Sequence, residues 1–325
     1  MKDLEIKGFK FNETIEGFLF IKHIEYRKAK NDSVYIDMTL SDTFGDEVNA
    51  KIWNAKEIDS SIYKAGIVVK VSGMIQKYNN KTQLIINKIR TTKDNDEVNI
   101  EDYIESAPID SKKMLVEIKE CIKLFENEEL KKLTLTLLEN KEQKLIYYPA
   151  AKTHHHNVKG GLLHHILTML RVGQSISDNY DFINKDLLYC GVIVHDLAKV
   201  DEILSNEIGL VEDYTKEGKL LGHIIQGINE IDRVADELKI DHELKILVQH
   251  MILSHHYHPE YGSPKKPLIP EAELLHYLDI MDARMYAMNK TLCKVKEGEF
   301  AERNISLEGR SMYKSDINSL GDLTK

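Results

Sequence analysis

The hydrophobic pattern of this 325-residue chain changes period once. Between Thr14 and residue 92 apolar side chains tend to recur at every second position, and in SVYIDMTLSD the series runs through Val34, Ile36, Met38 and Leu40. From Ser111 onward they recur at helical spacing, beginning with Met114, Leu115, Ile118 and Ile122. A strand turns successive side chains to opposite faces, whereas a helix returns to the same face about every 3.6 residues, so the two stretches cannot share one architecture. The chain is therefore expected to hold two folds in series, multidomain α and β. Its length and its 42% hydrophobic content suffice for two cores.

The first stretch reads as five strands: TIEGFLFIKHIEYRKA, SVYIDMTLSD, NAKIWNA, and two more in AGIVVKVSGMIQKYNNKTQLIINKIR. DTFGDEV supplies a turn at Gly45, and Tyr78-Asn79-Asn80-Lys81 joins the last two strands. Five short strands with tight turns are most economically closed as a five-stranded OB-like β-barrel. Barrels of this type bind single strands by stacking bases on aromatic rings beside a basic groove. Phe44, Trp53 and Tyr78 are the candidate rings, with Lys51, Lys77 and Lys81. The competing reading puts Trp53 in the barrel core and leaves the lysines to solubility.

Residues 93–110, acidic and carrying Pro108, read as a linker. The expected division is 1–92 barrel, 93–110 linker and 111–325 an all-α domain, with Ser111 capping its first helix and loops near 205–218 and 257–270. Charge follows the same division. The net of −9 argues against a globally basic nucleic-acid binder, yet residues 1–92 hold 15 Lys+Arg against 12 Asp+Glu, a net of +3. Three scattered cysteines without CxxC spacing suit a reducing cytoplasm. The N-terminus MKDLEIKGFKF does not read as a signal peptide, and no apolar run approaches the roughly 20 residues of a membrane helix.

Histidine is divided more sharply still: of 14, only His23 precedes residue 150. Most of the others gather in GGLLHHILTML, CGVIVHDLAKV, LLGHIIQG and LVQHMILSHHYHPEYG, and an aspartate of LLHYLDIMDARM, Asp279 or Asp282, closes the set. A lone histidine on an apolar helix is ordinarily a hydrogen-bonded core residue. An ordered series of His, His-Asp, His, His-His and Asp, each set in apolar helix, is the donor set of a divalent Mn, Fe, Co, Ni or Zn site. Neighbouring helical residues point about 100° apart, so Asp196 is placed to bridge two ions while His195 holds one. Two ions would activate water and polarise a phosphoryl oxygen. Lys199, one turn on, would meet the charge growing on phosphate. His164, His242, His250, His258 and His276 read as structural or surface residues, and His154-His155-His156 as a loop lining the site or lying on the surface.

The His…His-Asp…Asp framework resembles the HD superfamily of phosphohydrolases. With AAKTHHHNVKGGLLHHIL, HDLAK, LLGHI, ILSHH and HYLDIMDAR behind an OB-like barrel, nearly the whole chain, including the tail GEFAERNISLEGRSMYK, is similar to the YhaM-type 3′→5′ exoribonucleases. That resemblance implies hydrolysis of single-stranded RNA, and often DNA, from the 3′ end with Mn²⁺ or a similar ion. It implies as metal ligands His165, His195, Asp196, His223, His255, His256 and Asp279, with Asp282 in support and Lys199 as the catalytic lysine. Lys152, His155, His156, Arg284 and Arg310 become candidate phosphate contacts. The stretch HHYHPEYGSPKKP partly overlaps that of cyclic-dinucleotide phosphodiesterases of the superfamily but lacks their Gly-Tyr-Pro run, so small-nucleotide hydrolysis is the second reading. A binding protein with an inert HD domain is the third, and no ligand is missing that would favour it. Metal identity and oligomeric state, a homo-oligomer included, stay open.

Overall fold

The computed structural model describes residues 4–28, 32–55, 62–79, 81–151 and 156–317. The chain divides into two compact units, Met1–Glu105 and Ser106–Lys325.

The first unit is a closed barrel of β1 (Thr14–Lys28), β2 (Val34–Ser41), β3 (Glu47–Ile52), β4 (Val68–Tyr78) and β5 (Lys81–Thr91), in the order β1-β2-β3-β5-β4. β1 is long enough to serve two neighbours. Its first half pairs with β4 and its second with β2, both antiparallel, and the register with β2 shifts between Ile21 and His23. The parallel pairing of β3 with β5 closes the barrel and removes the sheet edges. Ile36, Met38 and Leu40 point inward beside Leu19, Ile21, Val71, Ile75 and Leu84, while Val34 is half-buried at the strand end. Alternation also settles Trp53. Ile52 takes the inward position at the end of β3, and Trp53 next to it is 47% exposed, so the core reading of Trp53 is corrected.

Of the segment expected as a linker, residues up to Glu105 fall within the barrel unit. Arg90 grips Asp96 through both terminal nitrogens at 2.6 and 2.8 Å, and Tyr103 is buried.

The second unit runs through α1 (Ser111–Lys123), α2 (Glu128–Leu145), α3 (Gly161–Ser177), α4 (Lys185–Val194), α5 (Lys199–Glu202), α6 (Lys216–Leu238), α7 (His242–Ser254) and α8 (Pro270–Leu292). The apolar run LLYCGVIV forms α4, against which α2, α3, α7 and α8 pack. Two expectations are corrected. Asp110, not Ser111, caps α1, because its carboxylate accepts from the Lys112 and Lys113 amides while Ser111 is already helical. The unit is nearly all helix, but β6 (Ile203–Ser205) and β7 (Val211–Tyr214) pair where a loop was expected, and α6 starts at Lys216 behind a Thr215 cap. No helix among the described residues is long and apolar enough to cross a membrane.

Candidate metal centre

Five helical elements deliver one cluster of imidazoles and carboxylates. His165 stands in the second turn of α3, and His195-Asp196 ends α4. His223 follows a break inside α6 at Gly222, whose φ of 70° and ψ of 167° suit glycine and re-aim the helix there. His255 and His256 end α7, and Asp279 and Asp282 lie one turn apart on α8. His165, His195, Asp196 and His255 are at most 1% exposed.

The hydrogen bonds of the rings fix which nitrogen faces the centre. Nδ1 of His195 lies 2.8 Å from the Val192 carbonyl, Nδ1 of His255 2.7 Å from that of Ile252, and Nδ1 of His256 2.6 Å from that of Tyr261. A carbonyl oxygen only accepts, so each Nδ1 carries the hydrogen and donates it, which leaves Nε2 as the ring atom able to offer a lone pair to a cation. The two remaining rings have carboxylates in the same position: Nδ1 of His223 is 3.0 Å from Glu202 and Nδ1 of His165 2.7 Å from Asp282. Nε2 of His195, His223 and His255, together with Oδ1 of Asp196, is buried with no hydrogen-bond partner among the described residues. Buried polar atoms are rarely left in this state, and four such atoms close together make a donor set that fits a cation.

Asp196 stands in the middle. Its Oδ2 is 3.2 Å from His195 Nε2 and 3.8 Å from His165 Nε2, while its Oδ1 is 3.4 Å from His223 Nε2 and 3.9 Å from His255 Nε2. Asp279 Oδ1 lies 3.4 Å from His165 Nε2. Among the described residues three clusters of donor atoms are compact: His165–His195–Asp279, Asp196–His223–His255–His256 and His156–His165–Asp282, the last closed by contacts of Asp282 Oδ2 with both rings.

The charges make the same demand. Among the described residues, Asp196, Asp279 and Glu202 act on Lys199, whose Nζ sits 2.6 Å from Asp196 Oδ2, while Asp282 pairs with His156 and His165. Burial opposes ionisation of Asp196, but the charge on Lys199 leads the groups that outweigh it and hold its carboxyl well below the usual range. Burial likewise opposes the charge on Lys199, and Asp196 reverses the sign and raises its pKa. Burial pushes His255 well below its ordinary value, so its Nε2 is unprotonated near neutral pH. A buried pocket this rich in carboxylates and imidazoles suits a divalent cation.

Residues 162–284 match the model of the HD domain family. The chain is 41% identical over 302 residues to the 3′-5′ exoribonuclease YhaM of Bacillus subtilis (strain 168), covering 93% of this chain and 95% of the relative. It is 42% identical over 305 residues to that of Listeria monocytogenes serotype 4b (strain F2365), covering 94% and 96%. The chain belongs to the YhaM family of 3′-5′ exoribonucleases. Among solved structures, the second OB-fold domain of replication protein A from Methanococcus maripaludis aligns at 15% identity over 28% of this chain and 96% of its own, with a TM-score of 0.23.

The HD match contains every residue of the cluster from His165 to Asp282, and the barrel lies outside it. All seven ligands expected from the sequence stand together, with Lys199 beside them. The remaining candidates are placed differently. His156, expected to contact phosphate, is 1% exposed, with Nε2 2.8 Å from Asp282 and its ring 4.0 Å from that of Tyr286; a buried ring cannot meet substrate, and that expectation is corrected. Lys152 and His155 lie outside the described residues. Arg284 and Arg310 converge on Glu308, at 2.9 and 3.5 Å, and that pairing competes with the phosphate contact expected of them.

On the barrel, Trp53 stacks at 5.0 Å on Tyr35, and the Lys51 ammonium lies within 5.1–5.8 Å of the rings of Tyr35, Trp53 and Tyr78. Phe44 is 70% exposed in the β2–β3 turn, where its amide donates to Asp42. Tyr35 escaped the sequence reading because its alternation marks it only as outward-facing. Glu202 did too, although it follows Lys199 by three residues in the same short helix.

Proposed function

We propose that this protein is a metal-dependent exonuclease that hydrolyses single-stranded RNA, with single-stranded DNA as a further substrate, from the 3′ end to nucleoside 5′-monophosphates. The observation that carries the reading is the cluster of five imidazoles anchored through Nδ1 around the Asp196 and Asp279 carboxylates, in a chain of this family. His165, His195 and Asp279 would hold one ion and Asp196, His223, His255 and His256 a second. Mn²⁺ is the first candidate, and Fe, Co, Ni and Zn suit the same donors. When bound, such ions polarise a phosphoryl oxygen and acidify water.

The chain's own groups divide the remaining work. The carbonyls of Val192, Ile252 and Tyr261 and the carboxylates of Glu202 and Asp282 hold the rings, so little reorganisation is needed as the reaction proceeds. Lys199, held positive by Asp196, faces the negative charge that builds on the phosphorus oxygens. Water adds to phosphorus, the bond to the 3′ oxygen of the preceding nucleotide breaks, and that oxygen takes a proton. Tyr35, Trp53 and Tyr78 offer faces on which bases stack, with Lys51 supplying charge for the backbone. The free cysteines Cys121, Cys190 and Cys293 fit a reducing cytoplasm.

The test is digestion of 5′-labelled single-stranded RNA with Mn²⁺ by the wild type and by Asp196→Ala. A ladder shortening from the 3′ end, absent in the variant, is expected. No cleavage by the wild type refutes the exonuclease reading and directs the search to cyclic dinucleotides.

A further inference from the structure

His156 lies outside the stretch that matches the HD family, in the segment that leads into α3, yet its ring meets a carboxylate of the cluster. Its backbone is left-handed, with φ of 51°, a conformation that costs a residue with a side chain and persists where surroundings impose it. Those surroundings are specific. The His156 carbonyl accepts from the Ala150 amide at 3.0 Å, and Gly161 leaves it room: a Cβ there would fall 2.0 Å from that oxygen. The ring lies against Tyr286 on α8, one turn beyond Asp282.

We infer that His156 is a positioning residue of the metal centre, acting on His165 through Asp282. Asp282 Oδ2 meets two imidazoles, His165 Nδ1 at 2.7 Å and His156 Nε2 at 2.8 Å. The carboxylate accepts, so each of these nitrogens carries its hydrogen. For His165 this directs the Nε2 lone pair to the side of Asp279 and Asp196, the tautomer a ligand needs. For His156 it makes Nδ1 the acceptor, and His164 Nδ1, 3.2 Å away, becomes its donor. Three rings thus take their tautomers from one oxygen. Without His156, Asp282 loses one of the two donors that hold it, and the carboxylate can turn away from His165. The same chain gives His164 a structural purpose.

This assignment rests on the metal reading above and is tested by a quantity other than turnover. Mn²⁺ affinity of the full chain, titrated against a competing chelator, is compared for wild type, His156→Phe and His156→Gln. Phe keeps the contact with Tyr286 and has no donor; Gln carries an N–H at the position of Nε2. Loss of a group that supports a ligand typically costs 10–100-fold in metal affinity, so a weakening of about that size is expected for H156F, with most of it restored in H156Q. Should H156F fail to fold, His156→Asn replaces it, since Asn is one methylene too short to reach Asp282. Equal affinities for H156Q and H156N, or an H156F that matches a metal-binding wild type, overturn the assignment alone. A wild type that takes up none of Mn²⁺, Fe²⁺, Co²⁺, Ni²⁺ or Zn²⁺ overturns the metal reading and the assignment together.

Discussion

Helix α3 contains two glycines that should respond oppositely to alanine. Neither Gly161 nor Gly173 has a positive φ, so in each case the backbone accepts a side chain and helix propensity favours Ala by up to about 1 kcal/mol. The space around them differs. At Gly173 an added Cβ meets only Leu278 Cδ1, at 3.2 Å, the end of a side chain that can shift by a few tenths of an ångström. At Gly161 it falls 2.0 Å from the His156 oxygen and 2.8 Å from the carbonyl carbon, both backbone atoms. Relief requires the 156 segment to retreat by about 1 Å, which stretches the 2.8 Å contact of His156 with Asp282 beyond hydrogen-bond range. Overpacking of this kind costs about 1–3 kcal/mol. Set against the propensity gain, Gly161→Ala should destabilise the helical unit by about 1–2 kcal/mol, whereas Gly173→Ala should be neutral or stabilise it by up to about 1. At about 2–4 °C per kcal/mol for a unit of this size, calorimetry should place the G161A transition about 2–8 °C below the wild type and G173A level with it or above. Mn²⁺ affinity should fall in G161A alone. A G161A protein that melts at or above the wild type, or a G173A that loses more, would refute the reasoning from space.

Chelation removes the cations that the buried carboxylates call for, so EDTA should lower the melting transition of the helical unit. At ion concentrations a thousandfold above Kd the loss is about 4 kcal/mol, recovered on adding Mn²⁺; an unchanged transition argues against tight binding. Trp53→Ala removes a stacking face worth about 1–3 kcal/mol per base, so the affinity for single-stranded RNA, by fluorescence anisotropy, should drop by roughly 5–150-fold, while turnover of a short model diester stays near wild type. His250 Nε2 accepts from the Leu268 amide at 2.9 Å and its pKa is lowered by burial. Above an unfolded pKa of about 6.5 the ring is neutral in both states; as pH falls below that the unfolded chain takes the proton first, and stability declines until the folded pKa is passed. The ¹⁵N shift of Leu268 should therefore titrate with a midpoint below 6.5, and a midpoint at or above it contradicts the acceptor role.

The sequence by itself determined what depends on pattern along the chain. Alternation through Ile36, Met38 and Leu40 needs one face of a strand in a core, and the pleat leaves no other arrangement. The series from His165 to Asp279 could be read as a candidate donor set because so many imidazoles and carboxylates in apolar helix would otherwise be buried without partners. The tertiary structure decided what depends on which groups meet. Every residue has a carbonyl, so nothing in the sequence marks Val192, Ile252 and Tyr261 as the ones that set the tautomers of His195, His255 and His256. Glu202 and His223 are 21 residues apart and meet only because β6 and β7 fold back to bring the start of α6 against α5. His156 looks in sequence like one of three loop histidines, with phosphate within its reach; the left-handed turn and the space at Gly161 bury it behind Asp282 instead. Residue types state what chemistry is available, and packing assigns each polar atom its partner, because a partner distant in sequence is found only once the core has closed around it.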